Sequence, residues 1–355
     1  MSKKEFGVFL PIANGGWIVS KNTPPLDASY KQNREAAILA DQIGLDYIMA
    51  IGKWKGFGGE TDHWGTSLEA VTMLSGIAEV THRAKLIATV HAGLHNPAVT
   101  AKMITTLDHI SQGRAGLNIV SGSFRDEFEQ MGAWDNSLDH AQRYAMTAEW
   151  TQLIKRLWRE KRVDHEGAYF HLKQCVSEPK PLSNPRPYLF CAGQSERGLR
   201  FSVQNADVCF ISGRDEADTR KISLTAKRIA AEYNKPTKTF SLCTIIFAET
   251  DAHAETLAQF YRQGVDAEGV QNMMNSYGID TSGKNIAMVE RSKHAFMTQT
   301  IIGTPENCYK QLSNLMRNCE LDGVMLIFTD YIKGLKMFGD HILPRFREEY
   351  SENIR

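Results

Sequence analysis

Ile87-Ala88-Thr89-Val90-His91, followed by Ala115-Gly116-Leu117-Asn118-Ile119-Val120-Ser121-Gly122, is the stretch on which the fold turns. Both runs are short, apolar and partly β-branched, and both end in hydroxyl, amide or imidazole groups. Strands that pack along their length and turn polar at their C-terminal tips are how a (β/α)8 barrel carries chemistry. Working outward, strand patterns fall at 7–12, 47–51, 86–90, 117–121, 188–191, 208–211, 242–248 and 324–329. Amphipathic helical patterns lie between them, for example at 33–43, 67–80, 98–110, 142–158, 217–233 and 306–317. Eight strands with intervening helices predict one closed α/β TIM barrel with insertions, a single domain over 1–355. The alternative is a doubly wound sheet with a separate cap. No Pro-, Gly- or Ser-rich linker marks the boundary that a cap needs, which favours the barrel.

Two stretches break the period. Residues 160–187 hold Asp164-His165-Glu166-Gly167-Ala168-Tyr169-Phe170 and a proline-rich run, and predict a small hairpin with a rigid approach to the fifth strand. Residues 264–300, rich in Gly, Asn, Ser and Met, lie between the seventh and eighth strands. There an insertion overhangs the active face, and a lid is expected.

Composition narrows the function. The 355 residues are 42% apolar, and 41 Lys and Arg balance 41 Asp and Glu, which gives no electrostatic footprint for nucleic acid or a membrane surface. No apolar run reaches the roughly 18 residues of a membrane span. The chain starts Met1-Ser2-Lys3-Lys4-Glu5 and enters a strand pattern at once, so a signal peptide is not expected. Six scattered cysteines without CxxC or zinc spacing suggest reduced core thiols. The expectation is a soluble cytoplasmic protein.

Candidate site residues cluster at the strand tips. Asn118 and Thr89 place an amide and a hydroxyl on neighbouring strands, where they can converge on one small ligand; singly, each is an ordinary strand-end residue. Gly52-Lys53 ends the second strand before a glycine loop that lacks the phosphate-loop pattern. Lys53 either meets a ligand or snorkels at the surface. Glu127 and Arg143-Tyr144 follow the fourth strand; an arginine fork and a phenol suit a phosphate monoester, while solvated helix charges are the plainer alternative. Cys191-Ala192-Gly193-Gln194-Ser195 ends the fifth strand and opens a helix, so it is either an anion site or an ordinary cap. His63-Trp64, His91 and His95 are expected near the barrel mouth, bonding substrate or cofactor. A metal site built from them is disfavoured for want of a carboxylate, so no metal is expected. Trp17, Trp54 and Trp64 can stack on an aromatic ligand or pack in the core. Asp330 and His341 have no role that the sequence argues.

Gln112-Gly113-Arg114 with Asn118-Ile119-Val120-Ser121-Gly122 resembles a block of the bacterial luciferase-like flavin monooxygenases. The opening Phe6-Gly7-Val8-Phe9-Leu10-Pro11-Ile12 with Gly16-Trp17-Ile18 is similar to that of the pyrimidine oxygenases. So are Lys53-x-Lys55-Gly56-Phe57-Gly58-Gly59, Glu127-Phe128-Glu129-Gln130-Met131-Gly132, Arg143-Tyr144 and Cys191-Ala192-Gly193-Gln194-Ser195. Dimethylsulfone monooxygenases share these blocks more loosely, and alkanesulfonate monooxygenases more loosely still. The resemblance implies that Gly52, Lys53, Asn118, Glu127, Arg143, Tyr144 and Ser195 contact FMN. It implies that Thr89 and Asn118 hold O2 against the flavin; His91, at the tip of the strand that carries Thr89, is a further catalytic candidate from its position alone. It also implies free reduced FMN from a separate NAD(P)H-dependent flavin reductase, and oxidative cleavage of a carbon bonded to nitrogen, sulfur or halogen.

One departure concerns the substrate. Ser123 stands where pyrimidine oxygenases carry tryptophan, and His91 and His95 replace smaller or apolar residues. Lost volume and added imidazoles imply a larger, polar heteroaromatic, as in the riboflavin lyases, with His63, Trp64, His95 and Ser123 lining its site. The function expected is a reduced-FMN-dependent two-component oxygenase that cleaves a C–N bond of a nitrogen heterocycle, pyrimidine-like or larger. The alternatives are a sulfone or sulfonate monooxygenase using Arg125 and Lys55, a non-catalytic flavin-binding protein, or a hydrolase using Glu127 and a histidine. A homo-oligomer is expected.

Overall fold

The computed structural model describes residues 3–122, 124–193, 195–278 and 287–351. Its strands are β1 (Glu5–Phe9), β2 (Tyr47–Ala50), β3 (Lys85–His91), β4 (Ala115–Val120), β5 (Val163–Glu166), β6 (His171–Cys175), β7 (Tyr188–Ala192), β8 (Val208–Phe210), β9 (Lys238–Phe247), β10 (Gln299–Gly303) and β11 (Gly323–Phe328). The order β11-β1-β2-β3-β4-β7-β8-β9 closes on itself through β9 and β11, and every neighbouring pair in the ring is parallel. This is the expected eight-stranded TIM barrel with helices between its strands.

Side-chain volume explains how the ring closes. Tyr47, Tyr188, Phe190 and Phe240 fill the lower interior, their ring centroids 5.4 to 6.0 Å apart. Gly323 makes room for them, since a Cβ there would stand 2.3 Å from the Phe240 ring. Asn118 is in register with Phe190 on one side and with Thr89 on the other. In-register residues of parallel strands share a face, so Thr89 and Asn118 share the face of Phe190, near the C-terminal ends of β3 and β4.

The 160–187 stretch forms the expected hairpin, β5 pairing antiparallel with β6. The helix expected over 67–80 runs only from Ala70 to Ala78, because the Glu69 carboxylate caps it by accepting from the Val71 and Thr72 amides. The insertion carries two helices, Ala267–Gly278 and Ala287–Ser292; its residues 279–286 lie outside those described. Its end holds a strand that the periodicity did not predict: β10 pairs with Cys243–Phe247 of β9, beyond the point where β8, paired with Lys238–Phe240, has ended. Five half-buried residues carry too little alternation to announce themselves.

Candidate functional site

The site grows from the in-register pair on β3 and β4. The Asn118 amide Nδ2 donates to Thr89 Oγ1 at 3.0 Å. Both residues are buried, and Asn118 Oδ1 has no hydrogen-bond partner in the protein. His91 ends β3 beside them. Its ring stands edge-on to Phe128, 5.6 Å between centroids, and its buried Nδ1 also lacks a protein partner. Burial, with the nearby Lys53 charge adding to it, pushes the His91 pKa down to about 3, so the imidazole is neutral at physiological pH. Gly52 lies against this tip; a Cβ there would stand 2.9 Å from the Thr89 carbonyl oxygen and 3.2 Å from the His91 ring. Only a residue without a side chain lets the second strand tip approach the third this closely.

Lys53 and Glu127 form a buried ion pair. Nζ lies 3.4 Å from Oε1, with the side chains 2% and 1% exposed. The ammonium sits over the rings of Phe124 (3.9 Å), Phe57 (4.4 Å) and Trp64 (5.7 Å), an aromatic cage that supplies cation–π attraction in place of water. Glu127 Oε1 also accepts the Trp54 and Lys55 amides, while its buried Oε2 has no protein partner. Burial pulls the Lys53 pKa down and pushes the Glu127 pKa up; their mutual attraction opposes both shifts. Of the two readings of Lys53, the surface one fails on this burial.

A second group forms where β7 meets helix Glu196–Asn205. Ser195 caps that helix, accepting the Gly198 amide at 3.1 Å. The Tyr144 phenol hydrogen-bonds with Ser121 and Ser195, and burial pushes its pKa up. Its hydroxyl reaches that position because residue 198 is glycine: a Cβ there would lie 2.8 Å from the phenol oxygen. Arg143, one residue earlier on helix His140–Arg159, is buried, donates to the Leu138 carbonyl at 2.8 Å and lies over the Trp134 ring at 4.9 Å. The phenol, the hydroxyl and the helix N-terminus suit a phosphate, and Arg143 adjoins the phenol in sequence.

The insertion is fastened over this rim on two sides. Asp266 accepts from the Thr61 amide and hydroxyl at 2.8 and 2.7 Å, Asn272 donates to the Phe57 carbonyl at 2.8 Å, and Ser276 donates to Asp126. Across the mouth, Arg291 donates to Ser212 Oγ and to the Arg214 carbonyl, each at 3.1 Å.

The remaining candidates separate. His63 is fully buried, stacked on Trp64, with Nε2 3.3 Å from Met297 Sδ; burial pushes its pKa down to about 3. Trp64 is buried too and donates to the Gly16 carbonyl, while Trp17 packs edge-on against it at 5.3 Å. His95 is half-buried; its Nδ1–H donates to the His91 carbonyl at 3.1 Å and its ring lies 5.9 Å from Trp54, itself exposed. Ser123 lies outside the described residues. Asp330, which had no role, caps helix Tyr331–His341 by accepting the Lys333 amide. Among the described residues, no group of His, Cys, Asp or Glu is placed to hold a metal ion. Sequence reasoning missed the cage residues Phe57 and Phe124 and the fastening residues Asp126, Asn272, Ser276 and Arg291. The Lys53-x-Lys55-Gly56-Phe57 block was the one signal that placed an aromatic near the lysine.

A model of the luciferase-like monooxygenase family matches residues 4–319. The chain is 34% identical over 348 residues to a protein of Acinetobacter baylyi named pyrimidine monooxygenase RutA, covering 96% of this chain and 94% of that one. It is 35% identical over 350 residues to the protein of the same name from Methylobacterium radiotolerans, covering 96% and 91%. In fold it is similar to a riboflavin lyase, RcaE, solved with modified FMN and riboflavin: TM-score 0.85 at 20% identity, covering 98% of this chain and 92% of that one. With nearly its whole length matched, this chain belongs to the luciferase-like monooxygenase family.

Proposed function

We propose that the protein is a reduced-FMN-dependent oxygenase that uses O2 to cleave a carbon–nitrogen bond of a nitrogen heterocycle, either a pyrimidine or a larger ring such as a flavin. The relatives named for pyrimidine oxygenation, matched over nearly their whole length, support the reaction class. The observation that carries the reading onto this site is the set of buried, unpartnered polar atoms at the rim: Asn118 Oδ1, His91 Nδ1 and Glu127 Oε2. Such atoms are costly to bury unsatisfied, and a flat heterocycle with ring N–H and carbonyl groups matches them.

The residues fit FMN. Arg143, Tyr144, Ser195 and the helix N-terminus would hold its phosphate. Gly52, Lys53, Glu127 and Asn118 would meet the ring system, whose reduced form supplies the electrons that activate oxygen. Thr89 and Asn118 would stabilise negative charge as it develops on oxygen, since hydrogen bonds fixed in a water-poor site need no reorganisation. The neutral His91 would accept or donate one proton at Nδ1. His63, Trp64, His95 and Ser123 are the substrate-side candidates. We take the chain as one domain with 264–300 as its lid, acting with a separate NAD(P)H-dependent flavin reductase and as a homo-oligomer.

The sulfonate alternative loses support. Arg125 is paired with Glu129 at 2.6 Å and Lys55 with Asp126 at 3.3 Å, so both cations are already matched to carboxylates. The test is a screen of pyrimidines, flavins, sulfones and sulfonates with FMN, NADH, a flavin reductase and air. Product from a nitrogen heterocycle, dependent on reductase and oxygen, is expected. Turnover of sulfones alone, or product without flavin, would overturn the proposal.

A further inference from the structure

Asp126 and Glu127 are adjacent on the short helix Arg125–Glu129 and face different partners. Glu127 turns inward to Lys53 and to the Trp54 and Lys55 amides. Asp126 takes Ser276 of the insertion helix on Oδ1 and Lys55 on Oδ2, the latter at 3.3 Å. The loop after β2 is held in turn by the same insertion helix, through Asn272 to the Phe57 carbonyl and Asp266 to Thr61. Three segments far apart in sequence therefore meet at one carboxylate.

The two contacts differ in weight. Lys55 and Asp126 are 44% and 34% exposed, and an ion pair so wet contributes little. Ser276 is buried, and its hydroxyl donates to a charged oxygen, which is the stronger kind of bond. The pair that depends on this scaffold is sensitive to it. Lys53 and Glu127 are buried, and a buried pair retains its attraction only while its geometry holds.

We propose that Asp126 is a positioning residue: by bonding Ser276 it ties the insertion helix to helix Arg125–Glu129 and so holds Glu127 against Lys53 in the geometry that receives the flavin ring. The inference rests on the proposed role of Lys53 and Glu127 in flavin binding and adds that docking of the insertion sets their placement. Asn at 126 retains an acceptor for Ser276, turning that bond from charge-assisted to neutral, and loses the exposed Lys55 attraction, whereas Ala removes both contacts.

The test measures FMN affinity of the purified chain by fluorescence quenching, together with amide hydrogen exchange over Ala267–Gly278 and Arg125–Glu129. Asp126→Ala should weaken FMN binding about tenfold, the equivalent of one lost charge-assisted bond, and speed exchange in both helices together. Ser276→Ala should do nearly the same, and the double variant no more than either, because both remove one link. Asp126→Asn keeps a neutral bond of about half the strength and should leave affinity only about threefold below that of the native protein. Additive losses, failure of Asn to rescue, or a lower melting temperature with unchanged FMN affinity and exchange would overturn the proposal. Glu127→Gln is the control for the underlying reading. If it leaves FMN affinity intact, that reading falls and takes this inference with it; if it weakens binding while Asp126→Ala does not, only this inference falls.

Discussion

Replacing Glu127 with glutamine tests the buried pair most directly. The amide keeps the shape and can still accept from the Trp54 and Lys55 backbone, but Lys53 loses its counter-charge while remaining in its cage of three rings. Removing one partner of a buried pair costs about 3–5 kcal/mol, of which cation–π contacts offset roughly 0.5–2 kcal/mol. Deprotonation sets a ceiling. Neutralising a lysine with an unfolded pKa of about 10.4 costs about 4.6 kcal/mol at pH 7. Once the pH passes the point at which Lys53 loses its proton in the folded variant, the unfolded chain binds more protons until about pH 10.4, so over that range stability rises with pH by up to about 1.4 kcal/mol per unit. Urea denaturation at pH 7 and pH 9 should therefore show Glu127→Gln more destabilised at pH 7 than at pH 9, where the ceiling on the loss falls to about 1.9 kcal/mol. Adding Lys53→Met should restore stability at both pH values, because apolar replacement of a buried pair is often neutral or stabilising. A loss below about 1 kcal/mol that does not vary with pH would refute the reasoning, since it would mean that the pair is solvated.

Three further outcomes follow from the same geometry. Thr89→Val deletes the hydroxyl that faces Asn118 and should lower product formed per O2 consumed by about 10²–10³-fold with FMN binding intact; an unchanged ratio returns Thr89 to strand packing. Arg143→Ala should weaken FMN binding more than tenfold, for a charge-assisted bond of roughly 1.5–3 kcal/mol, while riboflavin in the cofactor role binds as before; equal losses place the arginine elsewhere. His63 and His91 are buried neutral with pKa values near 3, so each contributes stability that is complete above about pH 6.5 and declines toward pH 3 by up to about 1.4 kcal/mol per unit. His91→Gln should lessen that acid slope in denaturation curves, and an unaltered slope would place the native imidazole in water.

The barrel and the Thr89–Asn118 pair were legible because both depend on local signals. Each strand announces itself by a β-branched run, and register then sets its last polar residue beside that of the neighbouring strand. Lys53 was ambiguous for the opposite reason. Its cage draws Phe57 and Trp64 from one loop and Phe124 from another, and Glu127 sits on a five-residue helix too short to show periodicity. The link from Ser276 to Asp126 spans 150 positions and joins two residue types that are common on any surface. Nothing in either segment marks them as partners. β10 was missed because it adds to β9 only after β8 has ended, a tertiary event rather than a pattern.

The two ends of the barrel satisfy their polar groups in different ways, and the difference bears on ligand binding. At the N-terminal end, Glu5 Oε2 accepts from Lys238 at 2.7 Å and from Tyr47 at 3.2 Å, a pair completed by the protein itself. At the rim, Glu127 Oε2, Asn118 Oδ1 and His91 Nδ1 are buried without protein partners. Such groups are worth roughly 1–3 kcal/mol each when a donor or acceptor finally reaches them. A ligand that satisfies them binds more tightly and stabilises the fold through mass action, by about 2.7 kcal/mol at a hundredfold excess over Kd. FMN should therefore raise the melting temperature of the native chain. With Asn118→Ala the gain at the same FMN concentration should shrink, because one of the atoms to be satisfied is gone and affinity falls with it. In Lys238→Met, at the closed end, the gain should persist even though the starting stability changes. Equal gains in the native and Asn118→Ala proteins would separate flavin binding from the rim and undo the link between its unsatisfied atoms and its function.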